Sequence, residues 1–113
     1  MSMVTEQAEF LLDVCKLIQH ATSQGWVITG GELYRTVEQQ EIHFKAGRSK
    51  TMNSIHLKRC AIDLNFFKNG KLTWDKNEIA PLGSYWESLN PQKNRWGGNF
   101  KSLVDVPHFE RNV

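Results

Sequence analysis

The chain has 113 residues, which suffices for one domain and is too short for two separate hydrophobic cores. Fourteen basic and 12 acidic residues leave a formal net charge of +2, too close to neutral for a protein whose main role is to grip nucleic acid. No apolar run approaches the roughly 18 residues of a membrane span, so we expect no membrane insertion.

The amino-terminal residues and the cysteines bear on the cellular compartment. Residues 1–9 have neither a basic leader nor an apolar core, so the sequence predicts synthesis in the cytoplasm without a signal peptide. One pair of cysteines makes no disulfide framework, and no CxxC offers a thiolate metal site. We interpret Cys15 as a small hydrophobic residue on the apolar stripe of a helix, and Cys60 as one on the buried side of a strand.

Helical periodicity predicts a first helix over residues 5–24. Thr5 can cap it, Gly25 ends it, and apolar side chains recur at three- and four-residue steps. A strand over residues 26–33 and a short helix over residues 36–46 follow.

The clearest strand covers residues 60–67, where alternation predicts that Asp63 points away from the most apolar face. Asn69-Gly70 tolerates the positive φ of a hairpin turn. The remaining elements are a returning strand, a helix, a loop and a last short strand, over residues 72–74, 81–89, 91–98 and 104–110. The order α-β-α-β-β-α-β predicts one small α+β domain over residues 1–113, with an antiparallel sheet and helices packed on one side.

A basic segment precedes the clearest strand. Residues 45–59 contain five basic side chains and no acidic one: Lys45, Arg48, Lys50, Lys58 and Arg59. The segment is either a solvated loop or a patch that attracts an anionic substrate. Nucleic-acid binding through it is disfavoured by the near-neutral total charge, and would require binding that falls steeply with salt.

Four residues could form a chemical site: His56, Asp63, Asp105 and His108. Two imidazoles and one carboxylate form a common catalytic zinc set that leaves a fourth position for water. Asp105 is then a candidate general base. The alternative is a His56 satisfied by partners in a polar loop and a His108 at the surface.

The spacing of Asp105 and His108 makes a structural demand. On a straight strand these two side chains would point to opposite faces, so both reach one site only if the backbone turns between them. Pro107 fixes φ and favours an extended Val106, which predicts a turn or bulge just before His108.

Four motifs resemble those of the D-alanyl-D-alanine carboxypeptidase family of zinc peptidases, which includes phage L-alanyl-D-glutamate endolysins. Residues 54–63 resemble its SxHxxGxAxD motif, and residues 104–109 look like its closing (E/D)xxH motif. Residues 31–36 are similar to its GYR(S/T) element, and residues 95–100 match the RWGGxF stretch of the endolysin branch. The motifs stand in family order.

The resemblance implies one zinc ion held by His56, Asp63 and His108, with Asp105 as the catalytic acid and base. It implies that Arg35 stabilises the carbonyl oxyanion or binds a carboxylate, a role that suits a guanidinium. The expected substrate-binding residues are Arg35, Ser54 and Trp96. The implied fold is the small α+β domain shared with Hedgehog signalling proteins.

We therefore expect a monomeric zinc peptidase of the phage or prophage endolysin type. It would hydrolyse the L-alanyl-D-glutamate bond in the stem peptides of peptidoglycan, reaching the wall after release from the cytoplasm and without a separate wall-binding domain. The alternatives are a D,D- or L,D-carboxypeptidase acting on the same stems, and a non-catalytic binding module of this fold. The presence of both Asp105 and Arg35 favours an enzyme. Arg59 replaces the usual glycine of the first motif, so we expect no positive φ there.

Overall fold

The structure, a computed structural model, describes residues 2–49, 52 and 54–113. Its described part has helices α1 Met3–Ser23, α2 Val37–Lys45 and α3 Lys76–Leu89, and strands β1 Val27–Gly30, β2 Ala61–Lys68, β3 Lys71–Thr73, β4 Asn94–Trp96 and β5 His108–Arg111. Two short 3-10 helices cover Ile55–Lys58 and Gly97–Asn99. The predicted α+β class is confirmed. None of the described helices combines the length and apolar character needed to cross a membrane.

The strands form one antiparallel sheet in the order β1-β2-β5-β4, and β3 pairs with the far end of β2. Successive side chains alternate between its two faces. One face, called here the core face, carries Leu64 and Phe66 of β2, Phe109 of β5 and Trp96 of β4, all in the hydrophobic core. The other, called here the cavity face, carries the cross-strand neighbours Asp63 and His108, and Arg95 opposite Glu110.

Helices α1 and α3 cover the core face, as the predicted packing on one side requires. Both present apolar stripes to the sheet: Phe10, Val14, Leu17 and Ala21 from α1, and Ile79, Leu82 and Trp86 from α3. Trp86 meets Phe109 edge to face, with ring centroids 6.0 Å apart. Full burial of each large apolar side chain contributes about 1.5–3 kcal/mol, which fixes the sheet against the helices. Helix α2 instead buries only Gln40, beside the cavity face.

The first helix begins earlier than its sequence pattern indicates. Ser2 caps α1 by accepting a hydrogen bond from the Thr5 N–H at 3.2 Å, so Thr5 is not the cap. The prediction for Cys15 is wrong, because this thiol is exposed: the buried stripe runs through Val14 and Leu17, and position 15 is turned away from it. Cys60 is buried, as predicted.

The second half of the chain departs from prediction at three places. Helix α3 begins at Lys76 because Asp75 accepts hydrogen bonds from two backbone N–H groups, and it continues through Pro81 with Ile79, Leu82 and Trp86 packed in the core. The predicted loop over residues 91–98 contains β4, a three-residue strand that forms by pairing with β5. The last strand begins at His108 and not at residue 104, since the chain turns at residues 106–107.

Candidate active site

His56 is fixed by the short 3-10 helix that follows Ser54. The Ser54 hydroxyl accepts a hydrogen bond from the His56 backbone N–H at 3.2 Å and so caps this helix. The His56 Nδ1 lies 2.9 Å from the Leu33 carbonyl oxygen, which can only accept, so Nδ1 carries the proton. The other ring nitrogen, Nε2, faces the Asp63 carboxylate, 3.5 Å from its Oδ1.

His108 comes to the same carboxylate from the neighbouring strand. Asp63 and His108 are direct partners in the β2–β5 ladder, and His108 Nδ1 lies 3.5 Å from Asp63 Oδ1. The other ring nitrogen of His108, Nε2, lies 2.7 Å from a carboxylate oxygen of Glu110. Register thus places one histidine beside Asp63 through the sheet, while the 3-10 helix supplies the other.

Three side chains can hold a metal ion within the described part of the chain: His56, Asp63 and His108, whose ligand atoms all lie within 4.8 Å of one another. The two 3.5 Å separations from Asp63 Oδ1 fit a tetrahedral ion with ligands at about 2.0–2.1 Å, which are separated by about 3.4 Å. His56 Nε2 and Asp63 Oδ1 are buried, and the described residues give neither a hydrogen-bond partner. A cation coordinated by both atoms would satisfy them.

The electrostatics of the metal-free site show how strongly these groups interact. Burial raises the pKa of Asp63, but the nearby His108 and His56 outweigh it and hold that pKa well below its ordinary value. Burial lowers the pKa of His108, yet its contacts with Asp63 and Glu110 prevail and raise it to about 9. The carboxylates therefore attract positive charge, whether a proton or a metal ion, to this point.

Asp105 reaches the site through the predicted turn. The His108 backbone N–H donates to the Asp105 carbonyl at 3.1 Å across residues 106–107, which confirms a turn just before His108. The Asp105 carboxylate oxygen Oδ2 lies 3.9 Å from His108 Nδ1 and lines the cavity. Burial raises the pKa of Asp105, His108 opposes this, and Asp63 adds to it, so the net direction is upward. A raised pKa suits a group that takes up and returns a proton near neutral pH.

Gly97 allows the Asp105–His108 turn to close. Its carbonyl accepts the Asp105 N–H at 2.9 Å, and a Cβ on residue 97 would overlap the Asp105 carbonyl and the His108 side chain. Glycine at this position is therefore required for the turn to pack as it does.

Arg35 is held at the cavity by three hydrogen bonds. Its backbone N–H donates to the His56 carbonyl, its Nε donates to Glu32, and its Nη1 donates to Gln40 at 2.7 Å. Thr36 caps α2 with a capping box, so the helix that supplies Gln40 starts directly after Arg35. The guanidinium is thereby fixed, and the described residues provide no partner for Nη2.

The cavity next to these residues has a volume of about 440 Å³ and a basic wall. Four cationic side chains line it, together with Asp105 and Glu110: Arg35, Arg48, Lys58 and Arg95. Glu32 pairs with Arg35, and Glu110 pairs with Arg95.

The Arg48 Nε donates to His43 Nδ1 at 3.1 Å, and burial together with Arg35 and Arg48 lowers the pKa of His43. Arg48 thus faces the cavity beside a neutral partner. Lys50 of the basic segment lies outside the described residues.

Of the predicted substrate-binding residues, Ser54 lies at the cavity and Trp96 lies in the core. Ser54 is nearly buried and lines the cavity, where its hydroxyl caps the His56 helix. The prediction that Trp96 contacts substrate is contradicted, because Trp96 is 1% exposed and belongs to the core. Its indole N–H donates to the Val106 carbonyl at 2.8 Å, and its ring packs where Gly83 and Gly98 leave room. Trp96 therefore supports the Asp105–His108 turn from the core.

Arg59 differs from its expected conformation. It has φ 57° and ψ 33°, so the backbone does adopt the left-handed conformation at the position where the motif usually has glycine. Its N–H closes the 3-10 helix on the His56 carbonyl, and its guanidinium lies 4.5 Å from the ring centre of Tyr34. The expectation of no positive φ was wrong because this turn requires it, whichever side chain is present.

The sequence prediction missed Glu110 and Glu32. Glu110 is buried against His108, and Glu32 fixes Arg35. A strand rule could have found Glu110, since residues two apart on β5 share a face.

The fold and the site together define the class of the protein. A small α+β sheet brings a histidine-aspartate-histidine group together with a carboxylate and a fixed arginine in one cavity, as in metal-dependent hydrolases. The chain belongs to the family described as D-alanyl-D-alanine carboxypeptidase, whose model matches residues 47–111.

Two relatives support this membership. An L-alanyl-D-glutamate peptidase of Listeria phage A118 is 30% identical over 97 residues, which cover 86% of this chain and 34% of the phage protein. The chain thus spans about a third of the length of that curated relative. The crystal structure of the Serratia marcescens L-Ala D-Glu endopeptidase ChiX superimposes with a TM-score of 0.70 at 26% identity, covering 88% of this chain and 78% of that one.

Proposed function

We propose that this protein is a zinc-dependent peptidase that hydrolyses the L-alanyl-D-glutamate bond in the stem peptides of peptidoglycan. The observation that carries the proposal is a pair of buried atoms, His56 Nε2 and Asp63 Oδ1, to which the described residues give no hydrogen bond, at a cavity that also presents Asp105 and Arg35. The names of the phage and Serratia relatives support the choice of bond.

The ligand set favours zinc. His56, Asp63 and His108 would hold a divalent ion through two imidazole nitrogens and one carboxylate, so the bound ion would keep a net charge of about +1. A zinc ion held by them would act as a Lewis acid toward the scissile carbonyl and would acidify a water molecule. The remaining roles fall to side chains of the chain itself.

Asp105 would act as the general base and then as the general acid of the hydrolysis. Hydrolysis adds the oxygen of water to the carbonyl carbon and breaks the C–N bond, and the leaving nitrogen must gain a proton to depart as an amine. The Asp105 carboxylate can accept the proton of the attacking water and then deliver it to that nitrogen, ending in its starting state. Its upward-shifted pKa and its position on the cavity wall suit both steps.

Arg35 fits a role in stabilising negative charge that develops on the substrate. Glu32 and Gln40 occupy its Nε and Nη1, which holds the guanidinium in place before substrate arrives. A donor that needs no rearrangement contributes more to transition-state stabilisation than a mobile one. Nη2, to which the described residues give no hydrogen bond, would donate to a carbonyl oxygen or a carboxylate of the substrate.

The charge of the cavity wall agrees with a substrate that carries carboxylates. Stem peptides present free carboxylates beside the scissile bond, and Arg48 is a cavity-lining cation whose partner His43 is neutral. We expect Arg48→Gln to raise KM about three- to tenfold with little change in kcat, because a partly exposed charge contributes about 1 kcal/mol to binding. An unchanged KM would separate Arg48 from substrate binding.

The decisive experiment is mass spectrometry of purified muropeptides after incubation with the zinc-loaded protein. The expected products have a new amino terminus on D-glutamate and a new carboxyl terminus on L-alanine. His108→Ala should abolish the products, and Asp105→Asn should abolish them while retaining zinc. Absence of zinc from the purified protein, together with no cleavage after zinc is added, would refute the proposal.

The same measurement distinguishes the alternatives. A D,D- or L,D-carboxypeptidase would release terminal D-alanine or shorten the stem from its carboxyl end, and would leave the L-alanyl-D-glutamate bond intact. A non-catalytic module would bind the muropeptides and return them unchanged. Residues 1–113 would act in this proposal as one monomeric catalytic domain that works on the wall after release. Light scattering tests the oligomeric state.

A further inference from the structure

We propose that Glu110 is a positioning residue of the metal centre, which holds the His108 imidazole so that Nδ1 is directed at the ion. This inference rests on the proposed function, because it concerns the metal that the function requires. The sequence motifs end at His108 and assign Glu110 no role.

The geometry of β5 makes Glu110 the neighbour of His108. The two residues are two apart on one strand, so both side chains project from the cavity face, and Phe109 between them belongs to the core. The Glu110 side chain is 5% exposed, and its Oε1 lies 2.7 Å from His108 Nε2. A carboxylate can only accept, so Nε2 carries the proton, and the Nδ1 lone pair is left for a metal.

Glu110 is itself held by the next strand. Arg95 stands opposite Glu110 in the β4–β5 ladder and donates to the other carboxylate oxygen, Oε2, through Nε at 2.8 Å and through Nη2. The two oxygens are therefore divided between His108 and Arg95. This arrangement fixes the carboxylate plane and supplies a counter-charge, so Glu110 cannot swing toward the ion and replace a ligand.

The two histidines differ in the acceptor behind the ring. His56 donates to the backbone carbonyl of Leu33, whereas His108 donates to a charged carboxylate. A carboxylate acceptor fixes ring orientation and increases the basicity of the metal-binding nitrogen more than a neutral carbonyl does. We infer that His108 is the stronger nitrogen ligand and that Glu110 gives it that strength.

The test is zinc affinity, measured by competition with a chromophoric chelator. Glu110→Gln should weaken zinc binding about 10- to 100-fold, because partners behind metal-binding histidines commonly have effects of this size. Glu6→Gln is the matched control: Glu6 is also a buried carboxylate paired with an arginine, but it lies on the core side. This control should lower the melting temperature and leave zinc affinity within about twofold of the parent protein.

A purely structural role for Glu110 would move the melting temperature of the metal-free protein and leave zinc affinity unchanged, which would overturn the inference. If Glu110→Gln does not fold, Arg95→Gln decides, since it leaves the carboxylate in place and removes its support. A several-fold loss of zinc affinity in Arg95→Gln supports the inference, and an unchanged affinity overturns it. Failure of the parent protein itself to bind zinc would instead refute the proposed function, and the inference with it.

Discussion

The two faces of β5 treat buried charge in opposite ways. On the core face, Arg111 is 2% exposed and its guanidinium is matched inside the chain by Glu6 and Glu9 of α1. On the cavity face, the group around His108 includes two buried atoms, His56 Nε2 and Asp63 Oδ1, for which the described residues supply no hydrogen bond. All four residues of the strand are buried, so burial alone does not distinguish the two faces.

The two faces differ in whether their buried charged groups are fully hydrogen-bonded to one another. A buried ion pair that is complete within the chain ties elements together, here α1 to β5, and offers nothing to a ligand. A cluster with buried polar atoms that lack a hydrogen bond destabilises the folded chain, since each such atom costs about 1–3 kcal/mol. The incomplete cluster therefore marks the functional face.

The largest expected effect comes from completing or emptying the cavity-face cluster. Zinc at a thousand times its Kd should raise the free energy of unfolding by about 4 kcal/mol, because the ion binds the folded chain and not the unfolded one. Thermal unfolding followed by tryptophan fluorescence, with and without chelator, measures the shift. His108→Ala should respond to neither zinc nor chelator, and an equal shift in that variant would place the ion elsewhere.

The metal-free protein should lose stability as pH rises. The pKa of His108 is raised from 6.5 to about 9 on folding, so its stabilising contribution is complete below pH 6.5 and disappears as pH passes 9. The loss is on the order of 3 kcal/mol. Zinc-loaded protein should show the opposite trend over this range, since protons compete with the ion for the ligands. Urea unfolding at several pH values tests both, and a flat profile without metal would contradict the assignment.

Breaking the closed network on the core face should affect stability and leave the metal site alone. Arg111→Met leaves Glu9 without its partner and leaves Glu6 paired with Lys93 alone, and it should cost about 2 kcal/mol, a moderate value because Lys93 remains and Glu9 is half exposed to water. Zinc affinity of the folded variant should stay unchanged. Arg48→Gln is the control, an arginine at the surface whose removal should change unfolding by less than about 0.5 kcal/mol. Weakened zinc binding in Arg111→Met would mean that the two faces are coupled.

The smallest expected effect concerns the turn after His56. Arg59→Gly should be more stable than Arg59→Ala by about 0.5–1 kcal/mol, because both variants lose the Tyr34 contact but only glycine adopts φ 57° without steric cost. Arg59→Ala keeps the strained φ, removes the cation–π contact, and should be less stable than the parent protein. Chemical denaturation resolves the series, and a glycine variant no more stable than the alanine variant would exclude backbone strain.

The sequence predicted the parts of the site that depend on neighbouring residues, and it missed the parts that depend on strand pairing. The alternation of β2 placed Asp63 away from the core, and Pro107 predicted the turn that brings Asp105 and His108 together. Those are local signals. Glu110, Arg95 and the burial of Trp96 depend on the pairing of β4 with β5, and a three-residue strand such as β4 has too few positions to show alternation. These parts of the site could not be predicted from local sequence patterns, because they depend on pairing between distant strands.

The central position of β5 has a consequence for kinetics. β5 is hydrogen-bonded to β2 on one edge and to β4 on the other, so opening it requires breaking two ladders. Amide hydrogens in such a strand exchange with solvent at rates close to those set by global unfolding. The His108 side of the metal centre thus remains assembled when the ion departs. An ion that returns to His108 therefore needs no refolding of β5.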